Sequence, residues 1–196
     1  PKTIAQIAQG NANLSILVEA LTKADLVTTL NTAGTYTVFA PDNAAFTAAG
    51  ITSDYIANQT TPEQIAALKN VLLNHVLATK FTAAQLTTSY KKTLATSAAV
   101  PATATDNQKK MNVYIKVSSD GVFLNDCCKV TSSNIAATNG IVHIVNKVIK
   151  LPTIVTFVAA DPNFSSLLTA LTRADQLDEN FVSILSGTAS SPFTVF

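Results

Sequence analysis

An internal repeat limits the fold of this chain more than any other feature. Residues 3–25 align with residues 153–175 at an offset of 150 without a gap. Thr3-Ile4 matches Thr153-Ile154, and Asn13-Leu14-Ser15 matches Asn163-Phe164-Ser165. Ala20-Leu21-Thr22-Lys23-Ala24-Asp25 matches Ala170-Leu171-Thr172-Arg173-Ala174-Asp175. Thr37-Val38-Phe39 then returns as Thr194-Val195-Phe196 at an offset of 157, so the second copy carries seven extra residues between the two blocks. Solenoid repeats recur every roughly 20–50 residues, so a period this long belongs to a duplicated domain. The repeat predicts one domain over residues 1–152, closing at Leu151-Pro152, and places residues 153–196 as the helical N-terminal part of a second, truncated copy. About 44 residues cannot bury a core alone. The apolar face of that segment, with Phe157, Phe164, Leu167, Leu168 and Leu171, is therefore expected to need the rest of a longer protein, the first domain or a neighbouring molecule.

Charge narrows the partners. Thirteen basic against twelve acidic residues leave a net charge of +1, so no clustered cationic surface for nucleic acid is expected. Charged residues make up only 13% of the chain, about half the usual share of roughly 25%. Small neutral polar residues fill the gap, with 27 Thr and 14 Ser, which leans towards an exported protein. No apolar run approaches the roughly 20 residues that span a bilayer, so no transmembrane segment is expected in this chain. The start, Pro1-Lys2-Thr3-Ile4, has no initiator Met and no signal-like core, as in a processed or trimmed chain. The two cysteines are neighbours, Cys127-Cys128, and cannot staple distant segments. In a strand they would point to opposite faces as two reduced thiols; a vicinal bridge would close a strained ring.

The pattern of elements reads as α+β. Helices are expected over Thr3–Gln9, Leu14–Leu21 and Ala24–Leu30, then a strand over Tyr36–Ala40. Pro41 stops that strand, and Asp42 can cap a short helix through Phe46. Thr61-Pro62-Glu63-Gln64 is a capping-box start to a helix whose stripe carries Ile65, Leu68, Leu72 and Val76. Ala95 to Lys110 lacks periodicity and reads as an exposed loop. Short strands follow at Asn112–Val117, Val122–Leu124, Cys127–Thr131 and Ile141–Ile149, with a turn at Ser119-Asp120-Gly121. Helices first and antiparallel strands after them give α+β.

Familiar chemical motifs do not stand out. The sequence has no Gly-rich phosphate loop and no G-x-S-x-G elbow. His75 and His143 are its only histidines, far apart and without metal-ligand spacing. Both are expected to be buried, bonded to backbone groups or hydroxyls, with no catalytic residue, metal or cofactor implied. The N-x-S/T sequons at Asn13, Asn58 and Asn163 are as many as chance gives from 15 Asn and 41 Ser plus Thr, so they carry no argument for glycosylation.

Three segments together resemble the fasciclin-type domain of extracellular adhesion proteins. Thr37-Val38-Phe39 followed by Ala40-Pro41-Asp42-Asn43-Ala44-Ala45-Phe46 is similar to the family's first signature block. Asn139-Gly140-Ile141-Val142-His143-Ile144-Val145-Asn146-Lys147-Val148, closing on Leu151-Pro152, is similar to its second. Leu73-Asn74-His75-Val76-Leu77 resembles the central His motif between them. The resemblance implies a wedge-shaped β-sandwich of about seven strands flanked by several helices, often in tandem copies. It marks Pro41, Asp42, Phe46, Asn139, Gly140, His143 and Asn146 as structural motif residues, and Asn74, His75, Val76 and Leu77 as an interaction segment. Two departures stand out. Asn74 replaces a Tyr that the family's adhesion proteins associate with integrin binding, and Asn146 stands where an acidic residue is usual. Asn can still accept the hydrogen bond, so the fold should survive the second change.

The resemblance implies a non-catalytic adhesion or binding module, extracellular or on a cell surface or in the periplasm, with a bacterial envelope favoured. Its partner would be an extracellular protein or polysaccharide, with association through residues 153–196 as a further expectation. A passive spacer in a larger surface protein is the second reading, and a glycan-active enzyme the third.

Overall fold

Side-chain caps start many of the short helices of this chain. The computed structural model describes residues 1–97, 103–173, 180–187 and 195. Helices α1 (Ile4–Gln9), α2 (Ser15–Lys23) and α3 (Val27–Asn31) come first, with a 3₁₀ turn at Ala12–Leu14. Thr3 and Gln6 cap α1 reciprocally, satisfying N–H groups that a six-residue helix otherwise leaves without partners. Strand β1 (Tyr36–Pro41) leads into α4 (Asn43–Ala48), α5 (Ser53–Ala57) and α6 (Pro62–Leu73). As the sequence predicts, Asp42 caps α4 by accepting from the Ala45 N–H at 2.7 Å, and Thr61 and Gln64 form the capping box of α6. The remaining strands are β2 (Val76–Leu77), β3 (Ser89–Thr96), β4 (Lys110–Ser118), β5 (Gly121–Leu124), β6 (Cys128–Ala137) and β7 (Gly140–Val145). A short helix, α7 (Asp106–Lys109), precedes β4, and α8 (Ile154–Ala160), α9 (Ser165–Leu171) and α10 (Phe181–Ser186) follow β7.

The α+β expectation of about seven strands with flanking helices holds. The strands form one mixed sheet in the order β2-β1-β7-β6-β5-β4-β3, curled nearly into a barrel. All its pairs are antiparallel except β1 with β7, which run parallel with Phe39 opposite His143. Alternation along β1 splits the core in two. Val38 and Ala40 join Ile4, Leu14, Leu17, Leu21, Phe46, Leu68 and Leu72 under the helices. Phe39 joins Leu77, Val113, Ile115, Leu124, Val145 and Ile149 within the curl of the sheet.

Several elements differ from the sequence reading. The sequence pattern does not predict strand β3, and Ala95, expected in a loop, is fully buried within it. The expected loop is further shortened by α7, while residues 98–102 lie outside the described residues. Helix α6 ends at Leu73, so Val76 belongs to β2 and not to the helical stripe. Strand β7 ends at Val145, before the expected Ile149. Cys127 sits in a turn and not in the strand.

The two matching segments share local capping features. Thr153 caps α8 as Thr3 caps α1. Asp161 accepts from the Asn163 N–H at 3.0 Å, as Asn11 accepts from the Asn13 N–H at 3.0 Å. A 3₁₀ turn follows each, at Pro162–Phe164 and at Ala12–Leu14. The surroundings differ. Leu14 is fully buried, whereas its counterpart Phe164 is 40% exposed. The second segment meets the sheet where the Tyr90 hydroxyl donates to Asp161 at 2.8 Å and Phe157 meets the Tyr90 ring edge-on at 5.5 Å, and Val158 and Ala160 of α8 are buried. Phe181 and Ile184 on α10 remain exposed. Of the strand expected at Thr194-Val195-Phe196, only Val195 lies among the described residues, and it is exposed.

Candidate functional site

Hydrogen-bond supply explains where the motif residues sit. His75 follows the C-terminus of α6, where helix carbonyls lack N–H partners. Its Nδ1 lies 2.8 Å from the Val71 carbonyl, and its Nε2 lies 2.8 Å from the Ile149 N–H. A carbonyl only accepts and an amide only donates, so Nδ1 carries the proton and Nε2 accepts. His143 has the opposite tautomer: Nε2 donates to the Phe81 carbonyl at 2.9 Å, and Nδ1 accepts from the Asn134 N–H at 3.3 Å. Each ring is neutral and fully engaged. Burial pushes the His75 pKa down to about 4, against the opposing bond to Val71. Burial likewise lowers that of His143, against its bond to Phe81. The expectation of buried, backbone-bonded histidines is met at both positions.

Asn74 is the partner of His75 in closing the same corner. Its Nδ2 donates to the Ile149 and Lys150 carbonyls at 3.2 and 3.0 Å, and its Oδ1 accepts from the Thr93 hydroxyl at 3.2 Å. Together they tie the end of α6 to β3 and to the chain beyond β7. Val76 and Leu77 pair with Val38 and Thr37 of β1. All four residues of the expected interaction segment, Asn74, His75, Val76 and Leu77, are buried to 4% exposure or less. This corrects their assignment as an interaction surface: as folded, their side chains meet only the interior of this chain. The physical reason is that a helix ending against a sheet needs buried donors and acceptors at that point.

The second signature block performs a similar task. Asn139 accepts from the Ile4 N–H at 3.0 Å and donates to the Leu30 and Thr32 carbonyls at 2.7 and 2.9 Å. Its own carbonyl accepts from the Tyr36 N–H at 3.0 Å. One side chain thus fixes the start of α1 and the end of α3, while its backbone fixes the start of β1. At Gly140 a Cβ would lie 2.1 Å from the Tyr36 carbonyl oxygen, so only glycine lets β1 and β7 approach. Asn146 accepts from the Lys129 N–H at 2.8 Å, the role expected of it in place of an acidic residue. Pro41, Asp42 and the fully buried Phe46 complete the join between β1 and α4.

Thr37 is a buried polar anchor that the motifs do not mark. Fully buried, it donates to the Thr79 carbonyl at 2.6 Å and accepts from the Phe81 N–H at 2.8 Å. A threonine among Val38, Phe39 and Ala40 is the only sequence signal for it.

The cysteines correct a second expectation. Their sulfurs do not point to opposite faces but converge to 2.8 Å. Asn125 and Asp126 have φ of 49° and 53°, and the Cys127 N–H donates to the Leu124 carbonyl at 3.2 Å, as in a type I′ turn. Leu124 nevertheless pairs with Cys128. Cys127 is therefore a surplus residue, and its side chain turns towards that of Cys128 as a bulge allows.

Among the described residues, no three His, Cys, Asp or Glu side chains gather as a metal site. A gap in the helix-side core is lined by apolar residues such as Leu17, Leu21 and Leu72, and His75 is its sole polar member. Among the described residues, no single helix is long and apolar enough to cross a membrane.

Comparisons with known proteins bear on the same residues. The sequence profile of the Fasciclin domain matches residues 12–152. Protein sll1483 of Synechocystis sp. is 34% identical over 150 residues, which cover 76% of this chain and 74% of that protein. The transforming growth factor-beta-induced protein ig-h3 of Sus scrofa is 30% identical over 152 residues, 76% of this chain but 19% of its own length. A solved FAS1 domain pair from the insect cell adhesion molecule Fasciclin I has a similar fold, with a TM-score of 0.57 at 12% identity. That similarity covers 76% of this chain and 51% of the solved one, so the chain spans about half of that structure.

Proposed function

The chain belongs to the fasciclin domain family, and on that premise we propose that it is a non-catalytic adhesion or binding module of an extracellular or cell-envelope protein. Its partner is an extracellular protein or polysaccharide, held by contacts on the exposed surface and strengthened by tandem copies. The family match carries the non-catalytic reading, and it is in keeping with every ring nitrogen of His75 and His143 being engaged by the backbone. A general base must reach a substrate proton, and neither histidine has a nitrogen to offer. Residues 1–152 form the first module, and residues 153–196 begin a second. The repeated caps at Thr153 and Asp161 support that division.

Immobilising the 196-residue chain and screening it against matrix proteins and polysaccharides tests the function. Saturable binding to one class, gaining strength when copies are linked, is the expected result. Silence across the panel would favour a passive spacer. Turnover of a polysaccharide would refute the non-catalytic reading.

A further inference from the structure

The adhesion reading leaves the cysteine pair unused, and its geometry departs from what two neighbouring strand residues adopt. Two sulfurs 2.8 Å apart stand much nearer to the roughly 2.05 Å of a disulfide than alternating strand side chains would allow. Several bonds hold this arrangement in place. Asn125, buried at the turn, donates its N–H to the Tyr114 carbonyl at 2.8 Å, and its side chain accepts from the Tyr114 N–H at 2.9 Å. Asp126 pairs with Lys116 at 2.8 Å. The backbone on the other side is fixed by the pairing of Leu124 with Cys128. Exposure separates the two thiols: Cys127 is open to solvent, while Cys128 is fully buried and directed towards the Val148 carbonyl at 3.8 Å.

We propose that Cys127 and Cys128 form a thiol–disulfide exchange site for small-molecule disulfides, with Cys127 as the entry nucleophile and Cys128 as the resolving thiol. The Cys127 thiolate attacks one sulfur of the external disulfide RSSR. The bond between the two R sulfurs breaks, RS⁻ leaves into solvent, and the Cys127 proton neutralises it. The Cys128 sulfur, already beside that of Cys127, then displaces the second RS group as its own proton passes to it. The products are a Cys127–Cys128 disulfide and two RSH molecules. Two protein thiols have lost two electrons, and RSSR has gained them.

The local electrostatics match these roles. The hydrogen bond from Cys128 and then the Lys147 charge, against partial desolvation, bring the Cys127 thiol down to about 7. The same bond, burial and the neighbouring Cys127 charge push Cys128 up. Attack needs the thiolate, so the exposed sulfur is the one prepared to start.

The test incubates the reduced 196-residue chain with oxidised glutathione at neutral pH, then quenches, alkylates and measures intact mass and peptide maps. The expected product has lost two hydrogens, resists alkylation at both sites and contains a Cys127–Cys128 peptide. Cys128→Ala should stop at a stable glutathione adduct on Cys127, and Cys127→Ser should lose reactivity while folded. A transient adduct on the unmutated chain at early quench times gives the same information without relying on either variant. A lasting glutathione adduct on the unmutated chain, an intermolecular dimer, or two thiols that stay free would each overturn the proposal.

Discussion

His75 and His143 hold opposite tautomers because each ring meets one carbonyl and one amide N–H, in opposite order. A second proton on either ring would face a backbone N–H and cost a hydrogen bond. For His75 the folded pKa is about 4 and the unfolded value 6.5. Between those values the unfolded chain binds more protons, so stability rises with pH across the window. The contribution is fully present above pH 6.5 and falls by about 3 kcal/mol as pH drops towards 4. Urea denaturation at pH 7 and pH 5 should show the unmutated chain losing about 2 kcal/mol more than His75→Gln, which cannot take up that proton. Equal losses would remove the buried, neutral ring from the account. Asn139→Ala should cost about 3 kcal/mol in the same measurement at pH 7, since the Ile4 N–H and the Leu30 and Thr32 carbonyls lose their partner. A cost under about 0.5 kcal/mol would show that water replaces the amide without penalty.

At the scale of elements, the parallel contact of β1 with β7 is the join that glycine permits. Gly140→Ala would drive a Cβ into the Tyr36 carbonyl, a backbone atom that cannot rotate away. We expect a loss of about 3 kcal/mol or more, read by thermal or urea unfolding; an unchanged midpoint would mean the strands part at little cost. The elements differ in how readable they were. The capping starts at Asp42 and Thr61 show in the sequence because a cap is a local chemical requirement. Strand β3 did not, because Ser89–Thr96 carries Tyr90, Lys91 and Lys92 and only Ala95 and Thr93 turn fully inward. Its place is set by pairing with β4 across the intervening α7 segment, which a local pattern does not show. The site shows the same division. His75, Asn139 and Gly140 could be named from their motifs, but the burial of Asn74 through Leu77 depends on where α6 meets β3 and Ile149. The convergence of the cysteines depends on two left-handed residues before them, Asn125 and Asp126, types that tolerate such a turn without announcing it.

For the molecule as a whole, Val158, Ala160 and Asp161 are the buried positions among the described residues of 153–196, although Thr153 and Asp161 cap their helical turns as Thr3 and Asn11 do. One attachment lies at Tyr90: Asp161 takes its hydroxyl, whose pKa is raised by desolvation and then by the Asp161 bond and charge, and Phe157 covers the ring edge. Tyr90→Phe should therefore lower the stability of the 196-residue chain by about 1 kcal/mol and leave a 1–152 fragment unaffected. Equal effects in both would show that Tyr90 acts within the sheet and not at the docking contact. Residues 1–152 are expected to be a self-sufficient module, since both core clusters draw on residues 4–149 alone. The most direct test is the thermal melting of 1–152 alone beside that of 1–196. A single cooperative transition is expected for 1–152, with a midpoint within roughly 5 °C of the longer chain. A fragment that fails to fold would contradict it, because the last helices would then be part of the first domain and not the opening of a second.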